Sequence, residues 1–217
     1  MSDSLKLRVP LWKRILFTEA ILEKSDAQQI AYIGVVTAFC IVSNLFELKF
    51  ATTQFSLTIF SSILAGLLIG PLLGFWAVFL GDGIGYVLNS GGFPYYWWVA
   101  LSVATMALIS GLIMRIPFRF RGSIYVKLSI ICLLTFTLCT GMINSLGMYY
   151  LGLPLYMPKD VLKAATEMFG GELTFGIYLL IRFFILGQIW NSVVNYILLF
   201  IAIRVLKAIK PLKLDLK

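Results

Sequence analysis

The sequence predicts an all-α integral membrane protein with six transmembrane helices, both termini cytoplasmic and a short amphipathic helix at the N-terminus. Three observations carry that expectation. Two uncharged runs of 32 residues, Phe50 to Gly81 and Gly83 to Met114, flank the single acid Asp82. The chain is 60% hydrophobic and 13% charged, with a mean hydropathy of +0.93, beyond the range of soluble globular domains. Its formal charge of +8 gathers at the ends of apolar runs, which is a pattern of membrane orientation, so the expected partner is the lipid bilayer and not nucleic acid.

A helix of 32 residues would be about 48 Å long against a hydrocarbon core of about 30 Å, so each run must fold back once. The breaks are Gly70-Pro71 in the first run and Gly91-Gly92-Phe93-Pro94 in the second. The first span is expected over Ala27 to Phe46, opened by a capping box of Ser25 and Gln28 with Asp26 at the positive end of the helix dipole. Spans two and three form a hairpin, Phe55 to Ile69 and Pro71 to Val87. There Gly70 can take the left-handed cap of the first helix, and Pro71 suits the opening turn of the next. The fourth is expected over Tyr96 to Met114, the fifth over Val126 to Tyr149 and the sixth over Thr174 to Val205. Residues 11–22 read as an amphipathic interfacial helix, because Glu19 interrupts any signal-peptide core. Pro158 to Phe169 reads as a short surface helix closed by Gly170-Gly171.

Counting bases sets the orientation. Lys6, Arg8, Lys13, Arg14 and Lys24 precede the first span, Arg115, Arg119, Arg121 and Lys127 lie between spans four and five, and five more follow from Arg204. The opposite side holds Lys49, Lys159 and Lys163. Six spans place the three basic segments on one side, the cytoplasmic one. The expected organisation is a cytoplasmic interfacial segment at 1–25, a six-helix membrane domain at 26–207 and a basic cytoplasmic tail at 208–217.

Several chemistries are disfavoured. Histidine is absent, which removes the commonest metal ligand and general base, so no metal, cofactor or catalytic residue is expected. Cys40, Cys132 and Cys139 sit in apolar stretches and read as small buried hydrophobes. No Gly-Lys dipeptide occurs, so there is no P-loop, and any pumping is ion-coupled or powered by a partner.

Four features remain as candidates for function. Asp82 is an intramembrane carboxylate, a functional hypothesis by default, and Arg182 lies at comparable depth in span six. Ion pairing between them, or joint contact with a polar ligand, would offset their desolvation; the bland alternatives are a structural pair fixing spans three and six, or Asp82 capping a kink within Gly81-Asp82-Gly83-Ile84-Gly85. Tyr95, Tyr96, Trp97 and Trp98 suit an aromatic belt, yet four consecutive aromatics on a helix point all round it, so some face inward. With Tyr86, Asn89, Asn144, Tyr149, Tyr156, Tyr178 and Gln188 they form an outer surface suited to a planar, polar small molecule. Finally Ala27, Ala31, Gly34 and Ala38 form a small-residue stripe that admits another helix, within the bundle or outside it. Gly66, Gly70 and Gly74 repeat that spacing.

The stripe, the cytoplasmic termini and the pattern Gly70-Pro71-Leu72-Leu73-Gly74-Phe75, Gly81-Asp82-Gly83 and Gly91-Gly92 resemble substrate-binding S components of energy-coupling factor (ECF) transporters, from about Ala27 to Leu206. Gly34 stands where that family's motif would place an alanine. The resemblance implies a non-enzymatic subunit of a prokaryotic plasma membrane that binds a B-type vitamin or related micronutrient at its outer face. It implies docking of Ala27, Ala31, Gly34 and Ala38 onto a transmembrane coupling subunit that carries two ATPase subunits. The loops at 47–54, 89–98 and 151–172 would close over the ligand, and the subunit would tip in the membrane as the ATPases cycle. The aromatic outer surface leans towards a vitamin with a large ring system. Two rival readings are a stand-alone ion-coupled carrier using Asp82 and an intramembrane enzyme, the latter poorly served without histidine.

Overall fold

The computed structural model describes residues 10–49, 54–89, 95–116, 123–153, 159–168, 170–171 and 173–208. The expected break at Gly91 to Pro94, the bases Lys6, Arg8, Arg119 and Arg121, the aromatic Tyr156, the surface-helix end Phe169 and nearly all of the basic tail lie outside the described residues.

The chain is mostly helical. Two short helices, α1 (Leu11–Leu16) and α2 (Glu19–Leu22), precede α3 (Asp26–Leu45). An antiparallel pair, β1 (Glu47–Lys49) and β2 (Gln54–Ser56), follows with Leu48 opposite Phe55. Then come α4 (Thr58–Ile69), α5 (Pro71–Leu88) and α6 (Trp97–Met114). The long helix α7 spans Ser123–Gly152, α8 spans Lys159–Glu167, α9 spans Phe175–Ile185 and α10 spans Gln188–Ala208. Among the described residues, α3, α5, α6, α7 and α10 are long and apolar enough to cross a membrane; α4 and α9 are shorter.

The capping box at the start of α3 is present, with the Ser25 amide donating to Gln28 Oε1 at 3.3 Å. The break between α4 and α5 is also where expected. Gly70 has φ 102° and ψ 168°, an extended conformation at positive φ open in practice to glycine alone and not the left-handed cap expected there, and Pro71 occupies the first turn of α5. The three cysteines are free thiols, with Cys40 and Cys139 buried.

Three expectations need correction. The sixth span is not one helix over Thr174 to Val205: α9 and α10 are separated at Leu186-Gly187, where Gly187 has φ 71°. Thirty-two residues of helix would have been about 48 Å long, the same excess that broke the earlier runs. The all-α expectation omits the β1–β2 pair, and α4 starts at Thr58 rather than Phe55 because Phe55 and Ser56 belong to β2. The N-terminal helix is two pieces parted at Phe17-Thr18. It also packs on the bundle: Ile21 is buried, Thr18 Oγ1 donates to the Leu68 carbonyl at 3.0 Å, and Arg115 Nη1 donates to the Ile15 carbonyl.

Two apolar clusters share α4 and α6 as the central helices. One joins Ile59, Ile63 and Leu67 of α4 to Met106 of α6, Leu128 and Ile131 of α7 and Leu199 and Ile203 of α10. The other joins Ala65 and Ile69 of α4 to Val36 and Cys40 of α3, Ala77 and Val78 of α5 and Ala104 and Ala107 of α6. Close approach at the Gly70 end depends on absent side chains. A Cβ on Gly111 would lie 2.6 Å from the Pro71 nitrogen, one on Gly74 would lie 2.8 Å from the Gly66 Cα, and one on Gly66 would collide with the Ala107 carbonyl. Gly66, Gly70 and Gly74 therefore serve packing within the bundle.

The N-terminus of α4 is capped from a distance. Leu57 offers no capping side chain, so the first-turn N–H groups need other acceptors in an apolar setting. Asn195 of α10, fully buried, accepts from the Phe60 amide through Oδ1 at 3.0 Å and donates through Nδ2 to the Ser56 carbonyl at 2.8 Å. One turn away, Asn191 Oδ1 accepts from the Ser56 amide at 3.2 Å.

Candidate functional site

The predicted site residues fall into two groups. The first surrounds Asp82. Gly81 and Gly85 of α5 let α3 approach, since added Cβ atoms would lie 3.1 Å from Cys40 Cβ and 2.7 Å from Asn44 Nδ2. That approach brings Asn44 Nδ2 to Asp82, where it donates to Oδ1 and to the backbone carbonyl, each at 3.2 Å. The Tyr95 hydroxyl is the second hydrogen-bond partner of the carboxylate. Burial first, and then the Asp82 charge, push the Tyr95 phenol up to about 12, so it stays protonated and donates. Tyr86 and Tyr95 have ring centroids 5.1 Å apart.

Arg182 belongs to the second group, so it does not pair with Asp82. It is 8% exposed, and its Nη1 donates to the Tyr178 hydroxyl at 3.3 Å. The Tyr178 ring, also buried, lies 5.6 Å from that of Tyr149. The Tyr149 hydroxyl donates to the Leu173 carbonyl at 2.8 Å, tying α7 to the entry of α9. Phe175 packs on the same Tyr149 ring at 5.4 Å.

Trp98, at the start of α6, packs against α7. A Cβ on Gly147 would collide with the Trp98 ring, and one on Gly152 would sit 3.7 Å from Trp98 Cζ2, so the indole lies flat along α7. It is 8% exposed, yet its Nε1 has no hydrogen-bond partner among the described residues. Asn144, one turn from Gly147 on α7, likewise leaves a buried Oδ1 without a partner. A buried orphan donor and a buried orphan acceptor each cost about 1–3 kcal/mol. Such groups are rare enough in native structures to require a reason, and a bound polar molecule is one.

The backbone here is irregular in a way the apolar pattern does not reveal. α7 is π-helical over Thr135–Asn144 and again over Met148–Gly152, and α9 is π-helical over Ile181–Ile185. Wide turns of this kind are frequent at functional sites, because the extra residue per turn re-aims side chains. Asn144, Tyr149 and Arg182 all lie in these segments. Buried hydroxyls support the freed carbonyls: Ser102 donates to that of Cys139 at 2.8 Å and Ser145 to that of Thr140 at 2.7 Å.

The remaining expected residues are more peripheral. Tyr96 is half-buried with its ring 5.2 Å from Trp98. Trp97 is 53% exposed and fits the aromatic belt. Asn89 is exposed at the end of α5, and Gln188 is half-buried at the first turn of α10. Sequence reasoning missed Asn44, Asn191 and Asn195, although an amide inside an apolar helix was a usable signal.

On the far side of α3, the face turned away from Cys40 and Asn44 is bare. Ala27, Ala31, Gly34 and Ala38 are all exposed, and a Cβ on Gly34 would meet nothing within 4 Å. Among the described residues, the stripe is therefore not used for packing. A family model described as the ECF transporter substrate-specific component matches residues 28–207. The chain belongs to that family. As an ECF substrate-specific component it is a multi-pass membrane protein and a transport subunit rather than an enzyme. Membership implies a substrate and interaction with an ECF module of ATPases and a T component. No curated protein matches the sequence.

Proposed function

We propose that this ECF substrate-specific component captures a B-type vitamin or related micronutrient at the outer face of a prokaryotic plasma membrane. In this reading the chain crosses six times with both termini cytoplasmic. Residues 1–25 lie at the inner interface, 26–207 form the membrane domain and 208–217 a basic tail. The ligand sits at the Trp98 end, against Trp98, Asn144, Tyr149, Tyr178 and Arg182, with Asp82, Tyr86, Tyr95 and Tyr96 towards α3. The bare stripe of Ala27, Ala31, Gly34 and Ala38 docks onto the transmembrane coupling subunit, whose two ATPase subunits supply the work.

The observation that carries this reading is the pair of buried, unpartnered polar atoms, Trp98 Nε1 and Asn144 Oδ1, between π-helical and aromatic elements at one end of the bundle. A ligand that presents an acceptor to the indole and a donor to the amide restores both bonds.

The test is mass spectrometry of the small molecule retained when the chain is purified alone in detergent. A ring-containing vitamin is the expected result. A chain that emerges empty, and binds no vitamin when titrated, would contradict the proposal.

A further inference from the structure

We infer that the cargo of this subunit is an anion and that Arg182 takes its carboxylate or phosphate group. The inference rests on the proposed function and names the chemical class of the molecule held at that site.

A guanidinium keeps its charge at any physiological pH and presents five N–H donors. Arg182 is buried, only 8% exposed. Among the described residues its hydrogen-bond partner is one neutral hydroxyl, that of Tyr178 at 3.3 Å. No described carboxylate lies within ion-pair distance. Asp82, the one acid in the interior of the apolar helices, is held by Asn44 and Tyr95 instead. Glu167 on α8 is exposed and lies 4.0 Å from Lys163.

A buried cation without a counter-charge is a liability for stability, since an apolar side chain of similar volume would serve packing better. The local backbone nevertheless directs this one inward. In the π-helical stretch Ile181–Ile185, Phe184 and Ile185 are 66% and 41% exposed while Arg182 is buried. Tyr178, one turn earlier, meets the guanidinium through its hydroxyl, and its ring lies 5.6 Å from that of Tyr149. A planar fork of unused donors next to aromatic faces matches an oxyanion carried on a flat or apolar body. The ligand's negative charge then completes the pair that the protein leaves open.

The experiment is calorimetric titration of the purified full-length chain with matched probes: pantothenate against its neutral alcohol pantothenol, riboflavin 5′-phosphate against riboflavin, and folate. The first pair reports on a carboxylate and the second on a phosphate. We expect at least one anionic probe to bind about 100-fold or more tightly than its neutral twin. Arg182→Gln should erase that ratio, and Arg182→Lys should retain part of it. Thermal unfolding without probe checks that both variants fold, and the Lys variant keeps the test valid if the Gln variant does not. Tighter binding of a neutral probe, or a ratio unchanged in Arg182→Gln, overturns the inference and leaves the proposed function standing. If no probe binds, the charge of whatever molecule survives purification decides: an oxyanion supports the inference, and a neutral or cationic molecule overturns it. A chain that binds none and carries nothing overturns the proposed function, and this inference with it.

Discussion

The two ends of the bundle are built by opposite rules. At the Gly70 end, glycine and alanine bring α4, α5 and α6 into backbone contact, and the N-terminal helices are bonded on through Thr18 and Arg115. At the Trp98 end the helices widen into π turns, α9 breaks from α10 at Gly187, and Trp98 Nε1 and Asn144 Oδ1 are buried without partners, as Arg115 Nη2 is at the Gly70 end. Regular helices with small residues at their crossings give tight packing without a hydrophobic driving force. Irregular ones sacrifice some of that packing to place amides, indole and guanidinium. On the proposed function, one end is the frame and the other the instrument.

The most severe way to break the contrast is to add bulk to the frame. Gly111→Leu would drive a side chain into the Pro71 backbone, which has no flexible end to move. Overpacking of this kind costs about 3 kcal/mol or more, so the yield of monodisperse protein in size-exclusion chromatography should collapse. The same change at Gly34, where nothing lies within 4 Å, should alter thermal stability by less than about 0.5 kcal/mol. It should abolish uptake by the assembled transporter while sparing ligand binding. Loss of folding at Gly34 would place the stripe inside the frame after all.

A smaller loss is expected from Asn195→Ala. It removes the acceptor for the Phe60 amide and the donor to the Ser56 carbonyl, leaving buried backbone groups open at about 2–3 kcal/mol. Thermal unfolding should show the drop, and hydrogen exchange should localise it to the first turn of α4. Smaller again is Trp98→Phe, which keeps an aromatic ring and deletes an N–H already lacking a protein partner. Stability of the empty protein should be unchanged or slightly raised, and ligand affinity should fall about tenfold. The reverse pattern would make the indole a structural element. The least effect is expected from Asp82→Asn. The site is held by neutral donors from Asn44 and Tyr95, so stability should shift by about 1 kcal/mol or less. Uptake by the full transporter should persist, whereas its loss would favour an ion-coupled role for the carboxylate.

Much of the frame was legible in the sequence. Gly70-Pro71 is readable because glycine and proline each restrict what the backbone can do there, and the Ser25–Gln28 box is local chemistry. The ends of α3, α5 and α6 agree with expectation to within one residue. The instrument was harder to read. Gly187 sits in an apolar run, where a lone glycine is an ordinary feature of a membrane helix, although the length of the run should have demanded a break. Nothing local marks Asn195 and Asn191, because their partners lie in α4 and β2, far away in sequence. The π turns leave no periodic signature in a helix that is apolar nearly all round. Among four consecutive aromatics, only the fold shows that Trp97 faces outward and Trp98 inward. Arg182 and Asp82 were both conspicuous as charges, but which groups hold each depends on helix rotation, which composition does not encode.

The central claim is that this chain binds its cargo but has no means of its own to drive it uphill. The direct measurement is uptake of a radiolabelled ligand into liposomes that contain the purified chain alone, then into liposomes that also contain the coupling subunit and both ATPases with internal ATP. The account predicts no accumulation above the external concentration in the first case and concentrative uptake in the second. Concentrative uptake by the chain alone, under a proton or sodium gradient and without ATP, would contradict it.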